Sequence, residues 1–525
     1  VKDKVYLFGY PAVGKTTVGK ELAERLKRRF IDLDLFIESK TGKLVKNLIR
    51  VEGEESFRAI ESQALHEIAS LEEILIVSLG GGATISEQNR KLISSTGIAV
   101  CLKAQHETIA KRALEDDGNE RPLLVDVVGL IKSREAFYSG AELTIWTDYS
   151  APNNISKVIA DSLVDELKGV VVPFEYEQSL STVYISPGIF NSVLTRGSER
   201  AALVVDKNVK DLWDSKIDEC FKGRIYTIDS GETSKRLSQI EIIAEKMLKD
   251  KVSRDQSLIV IGGGVAGDIG GLLASLYARG MNLVQVPTTV VSQVDSAIGG
   301  KTGVNLVGGK NMLGTFYPAA EVFCDVSFFS TLPQREFISG LAEVIKYGVI
   351  SSIDFFDWIE KNVDLIKTRD EKSLLKIIEE SILTKCKFVS GDLKDLTGQR
   401  ARLNFGHTVG HAIEKLTNYQ EYLHGEAISI GMVYAARLSV KLGRLSPDEA
   451  KRIERLLESF GLPVELPDRL KSLDAEIWFS AIEADKKRMN KEIGFITISK
   501  IGESHRENVQ IKSIVELIMA DGRKE

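Results

Sequence analysis

One local pattern constrains this chain more than any other. Twice, far apart, a short apolar run ends in a glycine-rich turn and passes into a helical pattern. The first is Val5-Tyr6-Leu7-Phe8 followed by Gly9-Tyr10-Pro11-Ala12-Val13-Gly14-Lys15-Thr16. The second is Ser257–Ile261 followed by Gly262-Gly263-Gly264-Val265-Ala266-Gly267-Asp268. A strand–turn–helix unit belongs in a parallel sheet covered by helices. With 525 residues the chain exceeds a single core, so each turn opens its own α/β unit.

The surrounding pattern supports that division. Apolar runs at Ile74–Leu79 and Ile98–Leu102 alternate with helical patterns at Gly19–Lys27 and Phe57–Leu71, and Ile155–Leu167 closes the unit. Gly169 and Pro173 then mark a joint. A second alternation carries strands at Ala201–Val205, Arg224–Ile228, Ser257–Ile261 and Leu283–Val286. From Leu332 onward the pattern is helical almost throughout, apart from a short β-like segment at Gly494–Ile498. The expected architecture is α/β, in three domains: 1–168 with a parallel sheet, 172–331 Rossmann-like, and 332–525 mainly α-helical.

Composition excludes several functions. A net charge of −6 gives no global positive field, which argues against a nucleic-acid binder. No apolar run approaches about 18 residues, so no membrane span is expected. The four cysteines are scattered without a CxxC pair, and the chain opens on a strand rather than a leader pattern. Together these predict a cytoplasmic protein without thiolate metal sites.

The first turn is a GxxxxGK[ST] loop between strand and helix, which is the context a P-loop requires. Gly9 and Gly14 let backbone N–H groups wrap phosphates, Lys15 reaches the terminal phosphates, and Thr16, flanked by Thr17, ligates Mg²⁺. Asp32-Leu33-Asp34 is expected to be extended, with both carboxylates on one face. Arg58 and Glu61 are three apart on a helix, where the guanidinium can clamp a carboxylate. Gly80-Gly81-Gly82 permits close backbone approach, Arg121 sits in a polar lid-like stretch, and Arg134 precedes Tyr138 by four.

This ordered set of motifs, over about 165 residues, resembles shikimate kinase. The resemblance implies ATP with Mg²⁺ at Gly9, Gly14, Lys15, Thr16 and Thr17, with Asp32 assisting the metal. Asp34, Arg58, Gly81, Gly82 and Arg134 would bind shikimate. Arg121 would act at the transferring phosphoryl group, and Arg112 and Pro152 would border the adenine. Lys15, Asp34 and Arg121 would be catalytic. One departure stands out: Ala12 occupies a position where that family usually has a glycine.

The second turn alone is a weak signal, because no acid follows about 20 residues later. The histidines say more. Of six in the chain, His407 and His411 are i, i+4 on a helical pattern, His424 follows, and Glu343 lies in a separate helical pattern. Spacing alone selects His407 and His411 as a metal pair. Basic and amide residues surround them in sequence: Arg279, Lys301, Lys310, Asn311, Lys346, Lys385, Arg400 and Asn404, with Lys301 and Lys310 in apparent glycine-rich loops.

Residues from about 180 to 505 resemble 3-dehydroquinate synthase of the sugar-phosphate cyclase group. The stretches GGGVAGDIGG, VPTTVVSQVDSAIGGKTGVN, GKNMLGTFYP, GLAEVIKYG, LNFGHTVGHAIE and LHGEA carry it. The resemblance implies Glu343, His407 and His424 as ligands of Zn²⁺ or Co²⁺, and moves His411 to the substrate side. It implies NAD⁺ at Asp206, Asn208, Glu232, Lys235, Gly263, Gly264, Val265, Asp268, Thr288, Thr289, Asp295, Lys301, Lys310, Phe328 and Thr331. Asp295, Lys346, Asn404 and His411 would be catalytic, and Lys385 and Arg400 would hold a carboxylate. Lys301, Asn311 and Lys486 would hold phosphate, with Arg279 contributed across a homodimer of the cyclase half.

The two resemblances imply a bifunctional enzyme. It would phosphorylate shikimate and convert 3-deoxy-D-arabino-heptulosonate 7-phosphate to 3-dehydroquinate plus phosphate. Two alternatives stay open at this level. Residues 1–168 as a non-catalytic nucleotide or shikimate sensor is one; a cyclase half with a different ring product is the other.

Overall fold

A computed structural model describes residues 3–115, 129, 134, 136–138, 140–176, 179–197, 201–483 and 492–521. Arg121 and Lys486 lie outside the described residues. The chain forms two compact units, Val1–Ser186 and Pro187–Glu525. Among the described residues no helix is long and apolar enough to cross a membrane.

The first unit is built on strands β1 (Lys4–Gly9), β2 (Arg29–Asp32), β3 (Leu75–Ser78), β4 (Gly97–Lys103), β5 (Leu143–Trp146), β6 (Gly169–Tyr176) and β7 (Ser179–Ile185). Their order is β2-β3-β1-β4-β5-β6-β7, parallel throughout except for the last pair. β1 is central and wholly buried, as its apolar run requires. Its C-terminal end delivers the glycine turn into helix Lys15–Leu26, which packs on the terminal helix Pro152–Val164.

Two local expectations need correction. Gly169 and Pro173, expected at a joint, lie inside the strand β6, where Val171, Val172 and Phe174 are buried. β6 extends the parallel sheet through β5 and turns back as a hairpin with β7. The buried apolar run outweighs the proline, which only forfeits one ladder donor. Asp32-Leu33-Asp34 is not extended either. Asp32 ends β2 and caps helix Leu33–Thr41, accepting from the backbone N–H of Asp34 at 3.1 Å and Leu35 at 3.4 Å. Asp34 therefore stands on the first helical turn.

The second unit begins with β8 (Ala201–Asp206), β9 (Arg224–Ile228), β10 (Ser257–Gly262) and β11 (Asn282–Pro287). A two-stranded ribbon, β12 (Lys301–Leu306) with β13 (Gly309–Phe316), precedes β14 (Glu321–Cys324). The strand order is β14-β11-β10-β8-β9, with all four pairings parallel. Lys301 and Lys310 thus sit on ribbon strands rather than in loops. Two of the glycines that suggested loops serve close approach: a Cβ on Gly300 would lie 2.8 Å from the Pro318 nitrogen, and one on Gly303 3.1 Å from the Leu313 carbonyl oxygen across the ribbon.

Helices Gln334–Ser351, Glu371–Val389, His407–Leu416 and His424–Lys441 follow, then a hairpin of β15 (Glu492–Lys500) and β16 (Glu503–Gln510). Glycine sets the spacing of three of these helices. A Cβ on Gly425 would fall 1.8 Å from the Ser339 carbonyl oxygen, and one on Gly431 would fall 2.0 Å from that of Gly406. Gly406 itself has φ 80 and precedes His407. Glycine is required at these contacts because any side chain would force the helices apart.

Candidate active sites

In the first unit the loop after β1 gathers the expected phosphate groups. Gly9 (φ 141) approaches β4 so closely that a Cβ would meet the Leu102 carbonyl oxygen at 2.1 Å, and Gly14 (φ 94) caps helix Lys15–Leu26. Ala12 holds φ 61, a left-handed conformation that costs a non-glycine residue about 1–2 kcal/mol. The Lys15 ammonium donates to the carbonyls of Gly9 at 3.1 Å and Tyr10 at 2.9 Å. The Thr16 hydroxyl donates to Asp32 Oδ2 at 2.8 Å, which puts a hydroxyl and a carboxylate where a hard dication needs oxygen donors.

Beside this loop a polar pocket converges on Gly80-Gly81-Gly82. A Cβ on Gly80 would lie 2.9 Å from Asp34 Oδ1 and 2.8 Å from Glu61 Oε1. One on Gly82 would collide with the Arg58 guanidinium, so Asp34, Arg58 and Glu61 all touch this turn. Arg58 pairs with Glu61 at 2.7 Å and Glu54 at 3.0 Å. Arg134 Nη1 and the Tyr138 hydroxyl both donate to the Gly81 carbonyl, at 2.9 and 2.8 Å. Burial, then repulsion from Asp32, raises the Asp34 carboxyl above its ordinary value while Lys15 opposes the shift. Arg112 donates to Thr147 Oγ1 at 3.0 Å and to its carbonyl at 2.6 Å, and Pro152 opens the terminal helix.

In the second unit, the ends of β8, β10 and β11 meet at the second glycine turn. A Cβ on Gly262 would lie 3.0 Å from Asp206 Cβ, one on Gly263 3.1 Å from Thr289, and one on Gly264 3.2 Å from Ser296 Oγ. Val265 lies in the first turn of the helix that follows, and the Thr288 N–H donates to the Gly262 carbonyl at 3.0 Å. Asp206 caps the next helix through the N–H of Asn208 at 2.9 Å and accepts the Ser230 hydroxyl at 2.7 Å. Lys235 pairs with Asp268, whose carboxyl is pushed up to about 6 by burial against that ammonium's pull. Lys310 lies 3.8 Å from Glu232 and over the Tyr419 ring, and the N–H of Asn311 donates to Asn305 at 2.9 Å. Phe328 packs against Phe190 and Trp213, and Thr331 accepts the Trp213 indole N–H at 3.1 Å. Arg279 is exposed, with φ 65, at the end of the turn after that helix.

The metal candidates converge from three helices. Glu343 Oε1 lies 3.5 Å from His407 Nε2 and 3.4 Å from His424 Nε2. Those separations match the ~3.3–3.4 Å between donors around a tetrahedral cation with bonds of about 2.0–2.1 Å. Two imidazoles and a carboxylate suit Zn²⁺ or Co²⁺, so the residues fit the ion. Burial, then Lys346, keeps His407 well below the usual imidazole range, leaving it a neutral donor. Burial pushes Glu343 up, but Lys346 and the two histidines hold it at about 2. His411 is a ring neighbour, with centroids 5.3 Å from His407 and 6.2 Å from His424, not a member of this trio. Tertiary contact overrides the i, i+4 choice.

Next to the trio lies a buried cationic group. Lys346 sits beside Glu343, and Lys385 donates to Asp295 at 2.5 Å. The Tyr347 hydroxyl donates to the same Asp295 oxygen at 2.7 Å. Burial would raise Asp295, but Lys385 and Lys346 hold it well below the carboxylate range. Burial lowers Lys385 to about 8. Arg400 donates to the carbonyls of Gly299 at 2.9 Å and Leu393 at 2.5 Å, and Lys301 lies 3.8 Å from Asp395. Asn404 ends the short turn that leads into His407.

A family model for the N-terminal part of 3-dehydroquinate synthase matches residues 225–339, and one for its C-terminal part matches 340–488. The 3-dehydroquinate synthase of Thermoanaerobacter pseudethanolicus is 40% identical over 326 residues, covering 61% of this chain and 90% of that protein. The chain belongs to the 3-dehydroquinate synthase family. A shikimate kinase model matches residues 11–168, so a kinase domain precedes the synthase on the same polypeptide. The synthase of Thermodesulfovibrio yellowstonii is 43% identical over 310 residues, covering 58% of this chain and 85% of its own. Among solved structures, a 2-epi-5-epi-valiolone synthase from Streptomyces hygroscopicus, with NAD⁺ and Zn²⁺ bound, aligns with TM-score 0.59 and 26% identity, over 68% of this chain and 99% of that one.

Within the synthase unit, residues with no assigned role in the sequence reading line the site. Glu414 is buried and within 3.4 Å of His424 Nδ1. Its place was legible, three residues after His411 and seven after His407 on one helix face. Ser339 and Gly425, which fix the approach of two ligand-bearing helices, had no such local signal.

Proposed function

We propose that the two activities run at separate sites, with the following residues in charge. In the kinase domain Lys15 and Thr16 handle ATP and Mg²⁺ with Asp32, and Arg112 and Pro152 border the adenine. Arg58, Arg134 and the Gly81-Gly82 backbone orient shikimate. Asp34, its carboxyl raised by burial, accepts the proton of the hydroxyl that attacks the terminal phosphoryl group, and Arg121 steadies the charge that moves.

In the synthase domain the convergence of His407 and His424 on the buried Glu343 carboxylate carries the reading, because two imidazole nitrogens 3.5 and 3.4 Å from one carboxylate oxygen are spaced as ligands of one cation. Glu343, His407 and His424 hold Zn²⁺ or Co²⁺, while the turn at Gly263-Gly264 with Asp206, Asp268 and Lys235 holds NAD⁺. When bound, the dinucleotide supplies a recyclable two-electron oxidant and the cation supplies Lewis acidity toward a ring oxygen. Lys385 and Arg400 grip the carboxylate of the heptulosonate phosphate, and Lys301, Asn311 and Lys486 its phosphate. Asp295, Lys346, Asn404 and His411 orient the ring hydroxyls.

Functional boundaries at 1–168, 172–331 and 332–525 accord with the kinase match ending at 168 and the long helix starting at Gln334. A homodimer through the synthase half accords with the ribbon, where Val307, Met312, Leu313 and Phe316 are exposed apolar residues. Arg279 then reaches the neighbouring site. Four cysteines without disulfides accord with a cytoplasmic location.

The test is direct. Purified chain given the seven-carbon 3-deoxy acid phosphate, NAD⁺ and Zn²⁺ or Co²⁺ should release phosphate and form dehydroquinate in equal amounts. Phosphate release with a different ring product would overturn the substrate assignment.

A further inference from the structure

The two ring nitrogens of His424 face different carboxylates. Nε2 lies 3.4 Å from Glu343 Oε1, and Nδ1 lies 3.4 Å from Glu414 Oε1. Glu414 stands on the helix His407–Leu416, on the same face as His407 and His411, and only 7% of it is exposed. An ionised carboxylate only accepts hydrogen bonds, so the nitrogen facing it must carry the proton. With a cation bound the imidazole is neutral, with one N–H and one lone pair, which leaves the lone pair on Nε2. His407 follows the same rule by another route: its Nδ1 lies 3.2 Å from the Phe405 carbonyl oxygen, also an acceptor.

We propose that Glu414 is a positioning residue of the synthase site: it fixes the His424 tautomer and ring orientation so that Nε2 is presented to the divalent cation. The inference rests on the reading of Glu343, His407 and His424 as ligands. Glu414 is not itself a fourth ligand, because it meets the ring edge that points away from Glu343. Its charge also offsets the cation's and raises the basicity of the ring it holds, as outer carboxylates of metal-bound histidines do.

Removing such a partner weakens metal binding by about 10–100-fold. Glu414→Met keeps length and volume but removes the strong acceptor, and the exposed edge of His424 lets water replace it only in part. Glu414→Gln keeps an amide oxygen that accepts the same hydrogen bond. The full chain, stripped of metal, is titrated with Co²⁺ against a chromophoric chelator, and the visible Co²⁺ bands are recorded. NAD⁺ affinity serves as the control for folding.

Glu414→Met is expected to bind Co²⁺ about 10–100-fold more weakly with shifted bands, Glu414→Gln to recover most of the loss, and both to bind NAD⁺ as the unaltered chain does. Equal affinity and bands in Glu414→Met would overturn the proposal, as would a Glu414→Gln variant no better than it. Two Co²⁺ per chain would overturn it too, since Nδ1 would then carry metal instead of a proton. If the unaltered chain binds no Co²⁺, the ligand assignment itself fails.

Discussion

Gly425→Ala should damage the synthase site out of proportion to one methyl group. The added carbon would stand 1.8 Å from the Ser339 carbonyl oxygen, whereas real Cβ contacts keep at least 3.0 Å. The atom it meets is helix backbone, so it cannot swing aside; helix His424–Lys441 must retreat from helix Gln334–Ser351 by more than an ångström. His424 is the residue before Gly425, and Glu343 is one turn beyond Ser339 on the facing helix. Their 3.4 Å separation would open past what a shared cation with bonds of about 2.1 Å tolerates. Overpacking costs about 1–3 kcal/mol of stability, and a misplacement of about 1 Å costs about 100-fold in rate. Metal content by elemental analysis, dehydroquinate formation, and shikimate phosphorylation on the same preparation separate the effects. The expected result is depleted metal and a synthase rate down about 100-fold, with kinase rate retained. Full metal and full synthase rate would refute the idea that this contact sets the ligand spacing.

Other outcomes follow from the same geometry. His407→Ala should abolish metal binding and cyclisation while shikimate phosphorylation stays near normal; equal loss of both would point to structural dependence. Lys385, lowered by burial to about 8, is charged below that pH and neutral above it. A carboxylate-gripping ammonium therefore makes synthase kcat/KM level below about pH 8 and falling about tenfold per unit above it, a limb that Lys385→Met should remove. Arg58→Lys should raise the KM for shikimate about 10–100-fold, the value of one charge-assisted hydrogen bond of about 1.5–3 kcal/mol, with a smaller change in kcat.

Much of this was legible in the residues. The strand–turn–helix units at Gly9–Thr16 and Gly262–Asp268 announced the parallel strands of both units, because buried parallel strands are continuous apolar runs. The kinase pocket was also readable, since its groups follow short motifs in order. What escaped depends on tertiary approach or on backbone caps. Asp32 looked like half of an alternating pair, but a carboxylate that can cap a helix stops the strand there. Gly169 and Pro173 looked like a joint, yet the apolar stretch around them was long enough for a strand. His407 and His411 share a helix face, yet Glu343 reaches His407 and His424 only because Gly425 and Gly431 let three helices close up. Glu414 stood within a recognised motif without a role, since the ring it serves lies on the next helix.

On the proposed function, one polypeptide holds two independent anion-binding sites, of which only one needs a transition-metal ion. The most direct measurement is a dual assay on the full chain, with Mg²⁺ in excess and a chelator selective for Zn²⁺ and Co²⁺. Dehydroquinate formation should stop and return on adding Zn²⁺ or Co²⁺, while ATP-dependent phosphorylation of shikimate continues unchanged. Dehydroquinate formation that survives complete removal of those ions would contradict that function.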